Sequence, residues 1–89
     1  MKGGIRMAVK DQARRDRIAA KLRGRRAEAN LTQDQVADAC GMERSSIGKY
    51  ETGVSCMDYE TAWDLADLYG VSLDELGGRK APAPQGDAV

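Results

Sequence analysis

The sequence predicts an all-α fold of five helices in a single domain. Three observations carry that expectation. Both prolines, Pro82 and Pro84, lie in the C-terminal tail, so no ring interrupts a helix before them. No long β-branched run offers a strand. Apolar residues instead recur at helical spacing, segment by segment, each segment opened by a capping residue and closed by Gly or Asn.

From about residue 11 to residue 30 the chain reads as a first helix. Ile18, Leu22 and Ala29 form a narrow inward stripe with Arg26 between them, while Arg14, Arg15, Arg17, Arg23 and Arg25 point mostly outward. Gly24 in its middle costs about 1 kcal/mol relative to Ala. Asn30 suits the end because it tolerates the left-handed conformation. Thr32 then caps a second helix, Gln33–Cys40, and Gln35 completes a capping box with it. Val36, Ala37 and Cys40 share one face of that helix.

Gly41 follows, where a sharp turn calls for positive φ. A third helix over residues 44–51 turns Ile47, Tyr50 and Glu51 inward and leaves Arg44, Ser45, Gly48 and Lys49 outward. Its cap is Glu43, poor for capping by size although its charge suits a helix N-terminus. Gly53 closes that helix and opens a loop over residues 53–57. Asp58 caps a fourth helix whose Tyr59, Ala62, Trp63, Leu65, Ala66, Leu68 and Tyr69 make a broad apolar face, wide enough for the core and a partner. Gly70 ends it, and Ser72 caps a short fifth helix through Leu76, with Val71 and Leu73 beside it. Residues 1–10 read as a flexible basic arm and residues 77–89 as a disordered tail, leaving residues 11–76 as the domain.

Residues 33–52 hold the functional signal. Small Ala37 lets the next helix cross closely, Gly41 turns the chain, and Ile47 plugs the angle between the two helices. Those are the needs of a helix-turn-helix whose second helix enters a DNA groove. A plain helical hairpin would satisfy any one of them alone; all three in register, with a polar and basic outer face, favour DNA.

Composition narrows the alternatives. The net charge is zero, but it is divided. Through Asn30, ten Lys and Arg face Asp11, Asp16 and Glu28, leaving +7; from Leu31 onward four bases face eleven acids, leaving −7. With two Cys, no CxxC and no His, neither a disulfide framework nor a metal site is expected. Cys40 reads as a small core residue, and Cys56 falls in a loop. No nucleophile–base pair and no Gly-rich phosphate loop supports an enzyme, and no cofactor is expected. No apolar stretch reaches membrane-spanning length and the basic N-terminus lacks a signal-peptide pattern, so a cytoplasmic protein that avoids membranes is the expectation.

The run TQDQVADACGMERSSIGKYETG, followed by LADLYGVSLDEL, resembles the lambda-repressor-like helix-turn-helix family, also called the Xre or Cro/C1 family, over about residues 11–76. The resemblance implies that Thr32 and Gln33 meet the DNA backbone, with Gln33 at the edge of the site. It makes Arg44, Ser45, Gly48 and Lys49 the recognition surface, with Glu43 beside them, and gives Thr52 a phosphate contact usually made by Asn. It also implies a buried ion pair, Arg26 with Glu51, that joins the first helix to the recognition helix. Glu43 departs from the usual Ser or Thr, and an acid there repels phosphate unless it accepts from a cytosine N4 group. The loop over residues 53–57 also lacks the basic residues that often hold backbone.

The expected function is a sequence-specific transcriptional regulator, a repressor of phage, Cro-like or controller type, binding a near-palindromic operator in double-stranded DNA as a dimer. The expected dimer surface is helices four and five, where Trp63, Leu68, Tyr69, Leu73 and Leu76 exceed the needs of a small core. Two other readings stand beside it: an antitoxin whose tail or acidic helices bind a protein partner, and a protein-interaction module without DNA binding.

Overall fold

The computed structural model describes residues 11–79, so the arm and all but the first three residues of the tail lie outside the described residues. Five helices follow in order: α1 (Gln12–Glu28), α2 (Gln33–Cys40), α3 (Arg44–Thr52), α4 (Tyr59–Tyr69) and α5 (Leu73–Leu76). There is no strand among the described residues.

Side chains start four of the five helices. Asp11 accepts from the Arg14 amide, and Asp58 from the Thr61 amide. Thr32 with Gln35 and Ser72 with Glu75 form reciprocal capping boxes, the second of which the sequence reading did not anticipate. Each such cap contributes about 1 kcal/mol. Hydrogen bonding from the Thr61 side chain and then its amide lowers the Asp58 pKa, and bonding from the Ser72 amide and then its side chain lowers that of Glu75. Glu43 makes no side-chain cap bond, so α3 alone begins without one.

Helix ends follow backbone chemistry. Asn30 takes the left-handed conformation at φ 59°, and Gly41 does so at φ 66° between α2 and α3. Gly53, at φ 81°, is needed twice over. A Cβ there would also lie 2.7 Å from Asp16 Oδ1, because α1 passes directly behind the end of α3.

The core gathers Leu22 from α1, Val36 and Ala37 from α2, Ile47 from α3, Leu65 and Ala66 from α4, and Leu76 from α5. α3 lies against both α1 and α2, and α5 ties α4 back to α1. Two sequence expectations are corrected. Ala29 is exposed, because α1 stops at Glu28 and leaves Ala29 in the turn; Ala19 is the buried alanine of α1. Leu76 is not surplus to the core but fully buried in it, and Leu68, Tyr69 and Leu73 are partly buried against it. Of the large apolar residues proposed as surplus, Trp63 alone stays mostly exposed, joined by Tyr59 and Val54. Gly77, Gly78 and Arg79 form a closing turn, with the Arg79 amide donating to the Asp74 carbonyl at 2.8 Å.

Candidate nucleic-acid interface

The two faces of α3 divide sharply. Ile47 and Glu51 are buried, whereas Arg44, Ser45 and Lys49 are exposed and Gly48 is half-buried between them. Glu43 is exposed just ahead of the helix. The outward side chains therefore share one surface because Ile47 fastens the opposite one.

Glu51 fastens it as well. Its carboxylate, with a side chain only 3% exposed, accepts from Arg26 Nε at 2.8 Å and from Gln33 Nε2 at 3.1 Å. Arg26 also donates to the Leu31 carbonyl at 2.9 Å, which pins the α1–α2 turn. The hydrogen bond from Arg26 to Glu51 raises the Arg26 pKa above its usual value, more than burial lowers it. Tyr69 lines the same region; burial of its phenol, reinforced by the Glu51 charge, pushes it up to about 12. The void enclosed there is ≈ 10 Å³, too small for a ligand.

From Glu51 the network runs outward. Gln33 stands between a carboxylate and a guanidinium: its amide nitrogen donates to Glu51, and its Oε1 accepts from Arg44 Nη1 at 3.1 Å. Chemistry permits that amide one orientation, since the nitrogen would repel Arg44 and the oxygen would repel Glu51. Arg44 Nε also lies 3.4 Å from Asp34 Oδ1. Thr32, Gln33, Asp34, Arg26 and Arg44 thus line one open cleft of ≈ 650 Å³.

The sequence reading missed how α1 holds the far end of α3. Arg23 Nη1 donates to the Glu51 carbonyl at 2.6 Å, Gln12 Nε2 to the Gly53 carbonyl at 3.2 Å, and Arg15 Nη1 to the Val54 carbonyl at 3.2 Å. These carbonyls lie at and just past a helix C-terminus, where cationic donors are favoured. Arg15 and Arg23 therefore brace the helix, Arg23 while staying exposed and Arg15 half-buried, a role that their outward placement did not show. The available signal was Arg23 lying three residues before Arg26 on one helix face. Asp34 was missed too, and only its place beside Gln33 hinted at it.

Thr52 is exposed, but its hydroxyl donates within α3 to the Gly48 carbonyl at 2.9 Å. A phosphate bond from Thr52 requires releasing that proton from the helix. Cys40 is half-buried, and burial pushes its thiol pKa up, which disfavours the reactive thiolate. Among the described residues no group of His, Cys, Asp and Glu could hold a metal ion, and no helix is long and apolar enough to cross a membrane.

Residues 22–76 match the helix-turn-helix family. The cryptic phage CTXphi transcriptional repressor RstR of Vibrio cholerae is 38% identical over 65 residues, covering 73% of this chain and 58% of the relative. The SPbeta prophage-derived HTH-type transcriptional regulator YonR of Bacillus subtilis is 36% identical over 56 residues, 63% of this chain and 52% of that one. The chain thus spans little more than half the length of these relatives. Among solved structures, the restriction-modification controller protein C.AhdI from Aeromonas hydrophila aligns with a TM-score of 0.68 at 26% identity, over 72% of this chain and 97% of that chain.

Proposed function

The chain belongs to the helix-turn-helix family, in its lambda-repressor-like branch, and from that premise we propose that it is a sequence-specific, DNA-binding transcription regulator. One observation carries this: a helix crossed by α2, buried through Ile47 and Glu51, braced at its end by α1, and bare on its Arg44–Ser45–Lys49 side. In this reading Arg44 donates to the O6 and N7 edges of a guanine, and Ser45 and Lys49 reach a base or phosphate. Thr32 and Gln33 meet the backbone at the edge of the cleft; Gln33 keeps a second amide hydrogen for it. Repression is the favoured direction, since RstR, matched over 65 residues, is named a repressor, although BcrR of Enterococcus faecalis, 34% identical over 56 residues that make 28% of its length, is named an activator.

The protein acts as a homodimer through α4 and α5. Trp63 is exposed beside a groove of ≈ 230 Å³ whose floor includes Ala66, Val71 and Leu73, and it meets Tyr59 edge-on with ring centroids 6.0 Å apart. One recognition helix reads too few base pairs to find a genomic site, and two-fold pairing doubles the readout. Selection of bound duplexes from a random pool tests the whole reading. The expected result is an enriched near-palindrome with half-sites about 10 base pairs apart. No enrichment, together with binding that ignores salt, would overturn it.

A further inference from the structure

The acid beside the recognition arginine sits in the first turn of α2, where its charge suits the helix N-terminus, but its pairing with Arg44 is not explained by stability. Asp34 Oδ1 lies 3.4 Å from Arg44 Nε, yet their side chains are 76% and 60% exposed, so the pair contributes little to folding. It also places a negative charge in the first turn of α2, at the edge of the cleft through which DNA would approach. We propose that Asp34 is a specificity-determining residue that makes Arg44 prefer a base edge over a phosphate.

The reasoning is electrostatic. A guanine edge is neutral and is recognised by hydrogen-bond donors, whereas a phosphate is an anion and is recognised chiefly by charge. Pairing with Asp34 offsets the Arg44 charge without removing its donors. Gln33 uses one of the five N–H groups of the guanidinium, so a bidentate pair to guanine remains available. Gln33, itself fixed by buried Glu51, and Asp34 together hold the guanidinium from two sides. On a cognate site Arg44 donates outward and keeps both neighbours. On a random duplex it must leave Asp34 to reach a phosphate, and the carboxylate repels that phosphate as well. Asp34 thus weakens the wrong complexes more than the right one.

This inference rests on Arg44 facing DNA as proposed above. The test compares wild type, Asp34→Asn, Asp38→Asn and Asp34→Asn in an Arg44→Ala background. Each is titrated, across a salt series, against the selected duplex and a scrambled duplex of equal length. Asp38 is an exposed acid on the same helix, so its variant removes the same charge from a place without Arg44. Asp34→Asn is expected to tighten scrambled binding about two- to fivefold, the scale of an exposed ion pair, while leaving cognate binding nearly unchanged. The salt slope on scrambled DNA should steepen by about one phosphate contact. In the Arg44→Ala background the effect should shrink to that of Asp38→Asn. Equal tightening on both duplexes, or the same change from Asp38→Asn, would make Asp34 an ordinary charge and overturn the inference. Failure of the wild type to bind any duplex with salt dependence would overturn the underlying DNA reading instead.

Discussion

Replacing Arg26 with Met keeps most of its stem and deletes the guanidinium. Glu51 is then left with its side chain 3% exposed, the Gln33 amide still donating to it, and the Leu31 carbonyl loses its donor. Stranding one member of a fully buried pair costs about 3–5 kcal/mol. Arg26 is 24% exposed, so water reaches part of the gap, and about 2–4 kcal/mol is the expected loss. A domain of about 70 residues has roughly 4–10 kcal/mol to lose. At about 4–8 °C per kcal/mol, Tm should fall by about 10–30 °C. Glu51→Met should cost less, because the Arg26 left behind can turn toward water. The double variant should return to within about 1 kcal/mol of wild type, since apolar groups of similar volume replace a buried pair at little cost. Urea unfolding followed by circular dichroism measures all four proteins as one cycle. A loss below about 1 kcal/mol for Arg26→Met, or additive losses in the double variant, would refute the account of Glu51 as a buried, paired charge.

Four further outcomes are expected. Arg44→Ala should weaken binding to the selected duplex by about 1–3 kcal/mol and relax preference at one base pair per half-site; a uniform loss across substituted duplexes would make it a phosphate contact. Gly24→Ala should stabilise by up to about 1 kcal/mol, because nothing lies within 4 Å of its Cβ position. Gly53→Ala should destabilise by about 1–2 kcal/mol through its positive φ, and the opposite sign for either glycine in urea unfolding would contradict the packing described. The Tyr69 phenol, raised from 10.0 to about 12, favours the folded state fully below pH 10, and that contribution is lost as pH rises toward 12. Wild type should therefore lose stability more steeply than Tyr69→Phe between pH 10 and 12, and parallel curves would show that the phenol is not shifted.

The parts of the fold legible in the sequence are those decided within a few residues. The Thr32–Gln35 capping box, the Asp58 and Ser72 caps and the left-handed turns at Asn30 and Gly41 all close over six residues or fewer. A single chain of letters contains everything such bonds need. Partition of the apolar residues was less legible, because it depends on which elements meet. Leu76 looked surplus beside Trp63 and Leu73, but α5 packs against α1, where a Cβ on Gly77 would lie 3.8 Å from Ile18 Cγ1, and that contact spans nearly the whole domain. Ala29 was misplaced by the opposite error, a helix extended by two residues into its own turn.

The candidate site divides in the same way. Periodicity placed Arg44, Ser45 and Lys49 outward, because Ile47 and Glu51 on one helix must face the core. It could not place Asp34 against Arg44, since their approach depends on the turn at Gly41 folding α2 back over α3. Nor could it divide the arginines of α1 into those free for DNA and those already bonded to carbonyls, as Arg15 and Arg23 are. The decisive residue for both levels is Glu51. One of its oxygens accepts from Arg26 and ties α1 to α3; the other accepts from Gln33 and thereby dictates which way that amide presents itself to Arg44. Stability and recognition are therefore separable by mutation. A protein carrying Met at both 26 and 51 should fold nearly as well as wild type. Its Gln33 amide would be free to rotate, so discrimination between the selected and scrambled duplexes should fall although the helices stand where they did.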